Sequence, residues 1–156
     1  MSTIVIYTCL FALQGVAKTS LLLGGFDQNA NATVELTADK LTISESDGSA
    51  RFEGNVIVGQ GDIRIAADLV IVTYSETGEI DKLSASGGVT VATANESAES
   101  KFAEYSLKNR ILVMSGDVIF SQGKILMSAK SLQIDLDTGA AIIEGQVKTI
   151  LSTGSN

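Results

Sequence analysis

Few side chains in this sequence could do chemistry. The chain has 156 residues, no histidine and one cysteine, Cys9, which lies in an apolar N-terminal run. The usual general base, metal ligand and thiol nucleophile are therefore missing beyond that run. Asp135 and Asp137 could form an acid–base or calcium-binding pair, but they alternate with Ile134 and Leu136, and a solvent-exposed strand face explains that spacing more simply. Without histidine a hydrolytic triad is incomplete. We predict no enzymatic activity, no metal site and no cofactor.

The charged residues exclude one class of partner. Eleven Lys and Arg stand against eighteen Asp and Glu, which gives a formal net charge of -7. A nucleic-acid binder concentrates its basic residues in a patch or stripe, and none is visible here, so we predict no nucleic-acid partner. Lys101, Lys108 and Arg110 cluster loosely around a predicted turn, where they could meet phosphate groups. Ordinary surface charge is the alternative.

The apolar residues favour extended chain. They make up 45% of the sequence, whereas aromatic residues make up only 5% and tryptophan is absent. Much of the apolar mass is therefore valine, isoleucine, leucine and alanine, and β-branched side chains suit a pleated sheet better than a helix.

An internal repeat organises the chain. The triplet Gly-x-Val begins at Gly54, Gly87, Gly116 and Gly145, which are 33, 29 and 29 residues apart. A second marker is a small residue that opens the other half of each unit, at spacings of 29, 33 and 29: Ala38, Ala67, Ser100 and Ala129. Four extra residues fall between the second small residue and the second glycine. Repeats of this length predict a stacked architecture.

Within each repeat, apolar residues often recur at every second position. Leu41 and Ile43 alternate with polar residues, as do Leu132 and Ile134. Such alternation predicts strands with one apolar face, and turn residues such as Asp47-Gly48 separate the runs. Each repeat therefore reads as two or more short strands, and we predict an all-β fold.

Two long segments resemble one known family. The run ADKLTISESDGSARFEGNVIVGQGDIRIAAD, residues 38–68, and the run GDVIFSQGKILMSAKSLQIDLDTGAAIIEG, residues 116–145, are similar to the OstA-like family of lipopolysaccharide-transport proteins. The similarity extends over about residues 33–151. It implies a repeat-built open β-jellyroll, a V-shaped trough of stacked antiparallel strands whose apolar interior takes the acyl chains of lipid A.

The resemblance also implies partners. Short members of the family that carry a leader are periplasmic bridge proteins. They stack head to tail with themselves and with an LptC-like trough domain at the inner membrane and an LptD-like one at the outer membrane. The expected function is therefore to bind lipopolysaccharide through lipid A and to bridge the two membranes. A membrane-anchored LptC-like trough domain and a ligand-free structural β-solenoid scaffold with a filled core stay open as alternatives.

Period-two spacing, read with this resemblance, assigns the candidate sites. We predict that ten apolar residues face the groove: Leu41, Ile43, Phe52, Val56, Ile65, Val72, Phe120, Met127, Leu132 and Ile134. A closed core is the alternative for the same positions. We predict that four residues lie on edge strands that meet a partner: Val34, Leu36, Val147 and Thr149.

The N-terminal segment predicts export. Residues 4–13 form an apolar run too short to span a bilayer comfortably, and Gly15-Val16-Ala17 supplies small residues for cleavage. We expect a signal peptide at 1–17, a linker at 18–32, the OstA-like domain at 33–152, a tail at 153–156 and a periplasmic location. No basic residue precedes the apolar run, so a retained anchor, or a buried strand or helix, is the alternative.

Overall fold

The computed structural model describes residues 33–152 of the chain. In this range the chain forms ten strands and no helix. The strands are β1 (Val34–Thr37), β2 (Lys40–Ser44), β3 (Ser49–Gln60), β4 (Ile63–Tyr74), β5 (Ile80–Ala92), β6 (Glu96–Ser106), β7 (Ile111–Gln122), β8 (Ile125–Asp135), β9 (Ala141–Glu144) and β10 (Lys148–Leu151).

All strand pairings in the described range are antiparallel, and the sheet is open. Strands β3 to β8 pair in chain order. Strands β1 and β2 both pair with β3, and β9 and β10 both pair with β8, so each end of the sheet carries two short edge strands. The predicted all-β, open β-jellyroll class is confirmed.

The Gly-x-Val repeat marks a corner in β3, β5 and β7 and between β9 and β10. The glycine and the residue after it both have positive φ in β3 (Gly54 76°, Asn55 47°), and the same holds for the other three copies of the triplet. In the three long strands the pairing register shifts at these positions, as it does at a β-bulge, which bends a strand. The repeat in the sequence therefore corresponds to a row of bends that runs across the strands of the sheet.

The second repeat marker explains why glycine is required at the corner. A Cβ atom on each of the four glycines would lie 2.5–2.9 Å from a side-chain atom of the facing residue: Asp39, Asp68, Lys101 and Lys130. Each of these residues directly follows one of the four small residues of the second marker. The two markers are the two sides of the same corner.

The corner divides the sheet into two arms. Arm 1 contains β2, β9 and residues 49–53, 69–74, 80–86, 102–106, 111–115 and 131–135 of the long strands. Arm 2 contains β1, β10 and residues 56–60, 63–67, 89–92, 96–100, 118–122 and 125–129. The four extra residues of the second repeat lengthen the β4–β5 hairpin at the tip of arm 1, whose turn is closed by hydrogen bonds between Ser75 and Glu79 and between Gly78 and Ser75.

The apolar inner faces of both arms form one core. Buried residues from the two arms belong to a single cluster, and Phe120, Met114 and Leu132 are its largest fully buried members. Alternation along each strand places these side chains inside and polar residues outside.

Candidate functional site

The ten predicted groove residues occupy three different environments on the inner face. Leu41 and Ile43 are exposed, whereas Phe52 and Ile65 are partly buried and pack against the core. Six are buried in the core itself: Val56, Val72, Phe120, Met127, Leu132 and Ile134. The alternation in the sequence therefore identified a common face, but it did not separate packed core from open groove.

Leu41 and Ile43 lie on the inner face as predicted from their spacing, but they are exposed to solvent. They pair with Phe52 and Ala50, and because directly opposed residues point to the same side of a sheet, both belong to the inner face. Yet Leu41 is 51% exposed and Ile43 is 70% exposed. The reason is that β2 is an edge strand of arm 1, so the apolar face continues past the core into solvent.

A cavity of about 220 Å³ lies between the tips of the two arms. Its arm 2 wall is Val34, Val58, Gln60, Ile63, Ile65 and Val91. Its arm 1 wall is Ile80, Leu83, Tyr105, Leu107, Arg110, Leu112 and Leu136. Of the ten predicted groove residues only Ile65 lines this cavity. The other nine lie in the core, beside it, or on the open edge.

The residues missed by the sequence argument come from hairpin turns and from strands that face each other across the cavity. Leu107 and Arg110 belong to the β6–β7 turn, and Leu136 directly follows β8. The predicted set was drawn from period-two runs within strands, and a turn has no such period. The spacing of Leu83 and Ala85 within β5 was an available sign of an inner face.

The cavity has a polar end. Arg110 donates a hydrogen bond from Nε to Oδ1 of Asp137, and its side chain is 25% exposed. Tyr105 is half-buried, and burial is the main cause that raises the pKa of its hydroxyl above the ordinary value. A phenol with a raised pKa keeps its proton at neutral pH, so Tyr105 offers a donor on the same wall of the cavity as Arg110.

The β8–β9 turn holds Asp137 in place. Oδ1 of Asp135 accepts hydrogen bonds from the backbone N–H groups of Asp137 (2.9 Å) and Thr138 (3.1 Å). These bonds favour the charged carboxylate and lower the pKa of Asp135. Asp135 therefore shapes the turn, whereas Asp137 binds Arg110. The two carboxylates have separate structural roles and do not act as an acid–base pair.

The predicted basic cluster is wrong in one member. Lys108 and Arg110 share the β6–β7 turn, but Lys101 lies at the corner, where its Nζ is 2.6 Å from Oδ2 of Asp117. Lys101 and Lys108 separate because the chain runs from the corner to the tip of arm 1 between them.

One buried carboxylate was not anticipated. Glu96 is only 5% exposed, and its Oε1 accepts a hydrogen bond from Nε2 of Gln122. Its Oε2 is the one buried side-chain oxygen or nitrogen without a hydrogen-bond partner among the described residues. Glu96 lies on the inner face of arm 2, beside the tip.

The predicted partner edges are edge strands. Val34 and Leu36 lie on β1 and Thr149 lies on β10, while Val147 directly precedes β10. Each of these strands pairs on one side only, with β3 or with β8. Strands β2 and β9 are edges as well, which the sequence argument did not identify. Whether a partner uses any of these edges stays a prediction.

Residues 33–152 lack two further features. These residues contain no cluster of three or more Asp, Glu, His or Cys side chains able to hold a metal ion. They also contain no helix that is long and apolar enough to span a membrane.

Comparison with known proteins identifies the family. The model of the LptA/LptD N-terminal domain family of lipopolysaccharide transport proteins matches residues 35–149. The chain belongs to this family. It is a family of transport components and not of enzymes, in agreement with the predicted lack of catalysis, and the predicted resemblance to OstA-like transport proteins is confirmed.

Two individual relatives extend the comparison. An uncharacterized protein of Rhizobium meliloti (strain 1021) is 27% identical over 135 residues, which cover 81% of this chain and 73% of the relative. The crystal structure of LptH, the LptA-homologous periplasmic component of the lipopolysaccharide transport device of Pseudomonas aeruginosa, superposes with a TM-score of 0.69 at 12% identity. That match covers 78% of this chain and 96% of LptH. At this identity the match supports the fold.

Proposed function

We propose that this LptA-like protein binds lipopolysaccharide in the periplasm by sheltering lipid A acyl chains between its two arms, and that it bridges the inner and outer membranes. The observation that carries the proposal is the apolar cavity at the tips of the arms, in a chain whose family transports lipopolysaccharide. A stack of repeats with a filled core would have no such cavity.

The dimensions of the cavity fit part of an acyl chain. An apolar cavity of about 150 Å³ accepts benzene, so about 220 Å³ accepts a somewhat longer hydrocarbon segment. Each methylene transferred from water contributes about 0.8 kcal/mol, so eight methylenes contribute about 6 kcal/mol before any cost of ordering the chain. The remaining acyl chains of a lipid A would extend along the exposed inner face at Leu41 and Ile43, where the apolar surface is already open to solvent.

The bridging part of the proposal rests on the edge strands. Strands β1 and β10 expose unpaired backbone groups at opposite ends of the sheet, and such edges can accept a strand from another chain. Pairing of β10 with β1 of a second copy would continue the inner face across the junction. LptC-like and LptD-like trough domains would pair with the ends of the same rod. The contact is heterologous, so it forms open rods and not closed dimers.

Lipid analysis tests the binding proposal. The protein is purified gently from its native host, and bound lipids are identified by mass spectrometry. Leu83→Trp should reduce the amount of co-purified lipopolysaccharide because the larger ring occupies the cavity. Ile57→Trp is the matched control, since Ile57 is 50% exposed on the outer face of arm 2. The proposal fails if the wild-type protein carries no lipopolysaccharide, or if the two variants carry equal amounts.

The same experiments separate the alternatives. A protein without lipid, whose Leu83→Trp variant is destabilised because the larger ring overpacks a filled core, would favour the ligand-free scaffold. A protein that retains residues 1–17 and stays in the membrane fraction would favour an LptC-like anchored trough that passes lipid to a soluble partner.

A further inference from the structure

Arg110 places a cation in the wall of a mostly apolar cavity. Most of the residues around it, including Leu107, Leu112 and Leu136, are apolar, and neither aspartate nor glutamate is among the residues that line the cavity. A charge in such surroundings loses hydration and needs an anionic partner. The backbone at Arg110 has φ 52°, a conformation that is uncommon for residues other than glycine and asparagine. Such strained positions cluster at ligand sites.

The present partner of Arg110 is a solvent-facing carboxylate. Asp137 accepts from Nε, and its side chain is 62% exposed. It lies outside the cavity, whereas Arg110 lines it. A guanidinium carries five N–H donors in a planar fork, more than one carboxylate oxygen accepts. An anion that approaches from the cavity can therefore bind the guanidinium beside Asp137 or in its place.

The backbone of Arg110 is held by the end of β8. Its backbone carbonyl accepts a hydrogen bond of 2.9 Å from the N–H of Leu136, so the β6–β7 turn is joined to the end of β8. Tyr105 lines the same wall, with a hydroxyl that stays protonated at neutral pH. The guanidinium and the phenol thus form a donor pair at the polar end of a hydrocarbon-binding cavity.

We propose that this donor pair recognises the phosphate of an amphiphile whose hydrocarbon chain occupies the cavity, with Arg110 exchanging Asp137 for the phosphate oxygens. The inference deepens the proposed function and rests on it. Phosphate and guanidinium match in a bidentate geometry, which a solvated lysine does not reproduce. The site would therefore select phosphorylated lipids over neutral ones in spite of the net charge of -7.

Displacement of a neutral fluorescent probe tests this selection. The full chain is loaded with N-phenyl-1-naphthylamine, which is then displaced by decyl phosphate, by decanol or by inorganic phosphate. A hydrogen bond to a charged group makes a contribution that corresponds to about ten- to a hundredfold in affinity. We expect decyl phosphate to bind at least about tenfold more tightly than decanol. Inorganic phosphate should not displace the probe, because it lacks the chain.

Three variants test which residue causes the preference for decyl phosphate. Arg110→Gln should remove the preference for decyl phosphate over decanol. Arg110→Lys should keep part of the preference, since the charge remains. Lys108→Gln is the matched control, because Lys108 lies in the same turn and is exposed, but does not line the cavity. It should keep the full preference.

The outcomes separate this inference from the proposed function. Equal binding of decyl phosphate and decanol by the wild type, or an Arg110→Gln variant that keeps the preference, would overturn the phosphate site while leaving the hydrocarbon cavity in place. Inorganic phosphate that competes with decyl phosphate at similar concentrations would identify a site for free anions and overturn recognition of an amphiphile. Failure of both decyl ligands to displace the probe would remove the proposed function and this inference together.

Discussion

Two adjacent glycines allow the corner to be tested with one pair of substitutions. Gly87 and Gly88 both have positive φ, 84° and 75°, so alanine is strained at either position. The left-handed region costs an L-residue about 1–2 kcal/mol. The surroundings differ, however. A Cβ on Gly87 would lie 2.6 Å from the Cβ of Asp68, whereas a Cβ on Gly88 would have no atom within 4 Å.

The two alanine variants should differ in their free energy of unfolding because only Gly87 lies against Asp68. Gly88→Ala should lower the free energy of unfolding by about 1–2 kcal/mol, from the backbone term alone. Gly87→Ala should lower it by a further 1–3 kcal/mol or so, since overpacking forces backbone shifts of that cost. Gly88→Asn should cost least, because asparagine tolerates positive φ and Asn55 occupies the equivalent position in the first corner.

Urea denaturation followed by far-ultraviolet circular dichroism measures these values, and it suits a chain without tryptophan. The variants are compared only if their denaturant slopes are equal. Equal destabilisation by Gly87→Ala and Gly88→Ala would refute the argument that close approach of Asp68 selects the first glycine of the motif.

Three further predictions concern pH, processing and assembly. The pKa of Asp135 is lowered by the backbone N–H groups of Thr138 and Asp137, so its contribution to stability is present above the ordinary value of 3.8 and is lost as the pH falls through the lower folded value. The difference in melting temperature between wild type and Asp135→Asn should therefore shrink below that pH; a constant difference would contradict the role of Asp135 in the turn. The intact mass of the protein from its native host should correspond to a chain that starts at Lys18, and a mature chain that contains Cys9 would refute export with cleavage. Light scattering should show mass increasing with concentration as rods form, whereas a strictly monomeric protein that binds no trough-fold domain would argue against the bridge.

The sequence predicted the repeat and the strand faces because both follow from local rules. Alternation of side chains has a period of two in any strand, so Leu132 and Ile134 had to share a face. Glycine spacing predicted the repeat length and located the four extra residues. The physical role of the Gly-x-Val triplet was not apparent, since the close approach of Gly87 to Asp68 depends on pairing between two strands.

The position of the cavity could not be predicted from the same rules. Every inner-face residue has the same spacing whether the opposite arm touches it or not. Ile134 is fully buried and Ile65 lines the cavity, although both are isoleucines that occupy inner-face positions of a strand. What separates them is the distance between the arms, and no local pattern in the sequence records that distance.

The same limit applies to the polar residues of the site. Arg110 lies in a turn, two residues after the exposed Lys108, and nothing in the local sequence distinguishes the two. Its importance comes from contacts across the fold, to Asp137 and to Leu136, which lie more than twenty residues further along the chain. The sequence left both phosphate contact and ordinary surface charge open for Lys108 and Arg110.

The core closes in one part of the stack and opens in another. On the inner face, β7 and β8 carry Met114, Phe120 and Leu132, which are at most 1% exposed and fill the space between the arms. Strands β3 to β5 carry smaller residues on the same face, including Val58 and Val91, and both of these line the cavity. Across the cavity from these residues, arm 1 contributes Ile80 and Leu83 of β5 together with the β6–β7 turn. The gap between the arms therefore lies where a turn, and not a packed pair of strands, forms part of the wall, and Arg110 belongs to that turn.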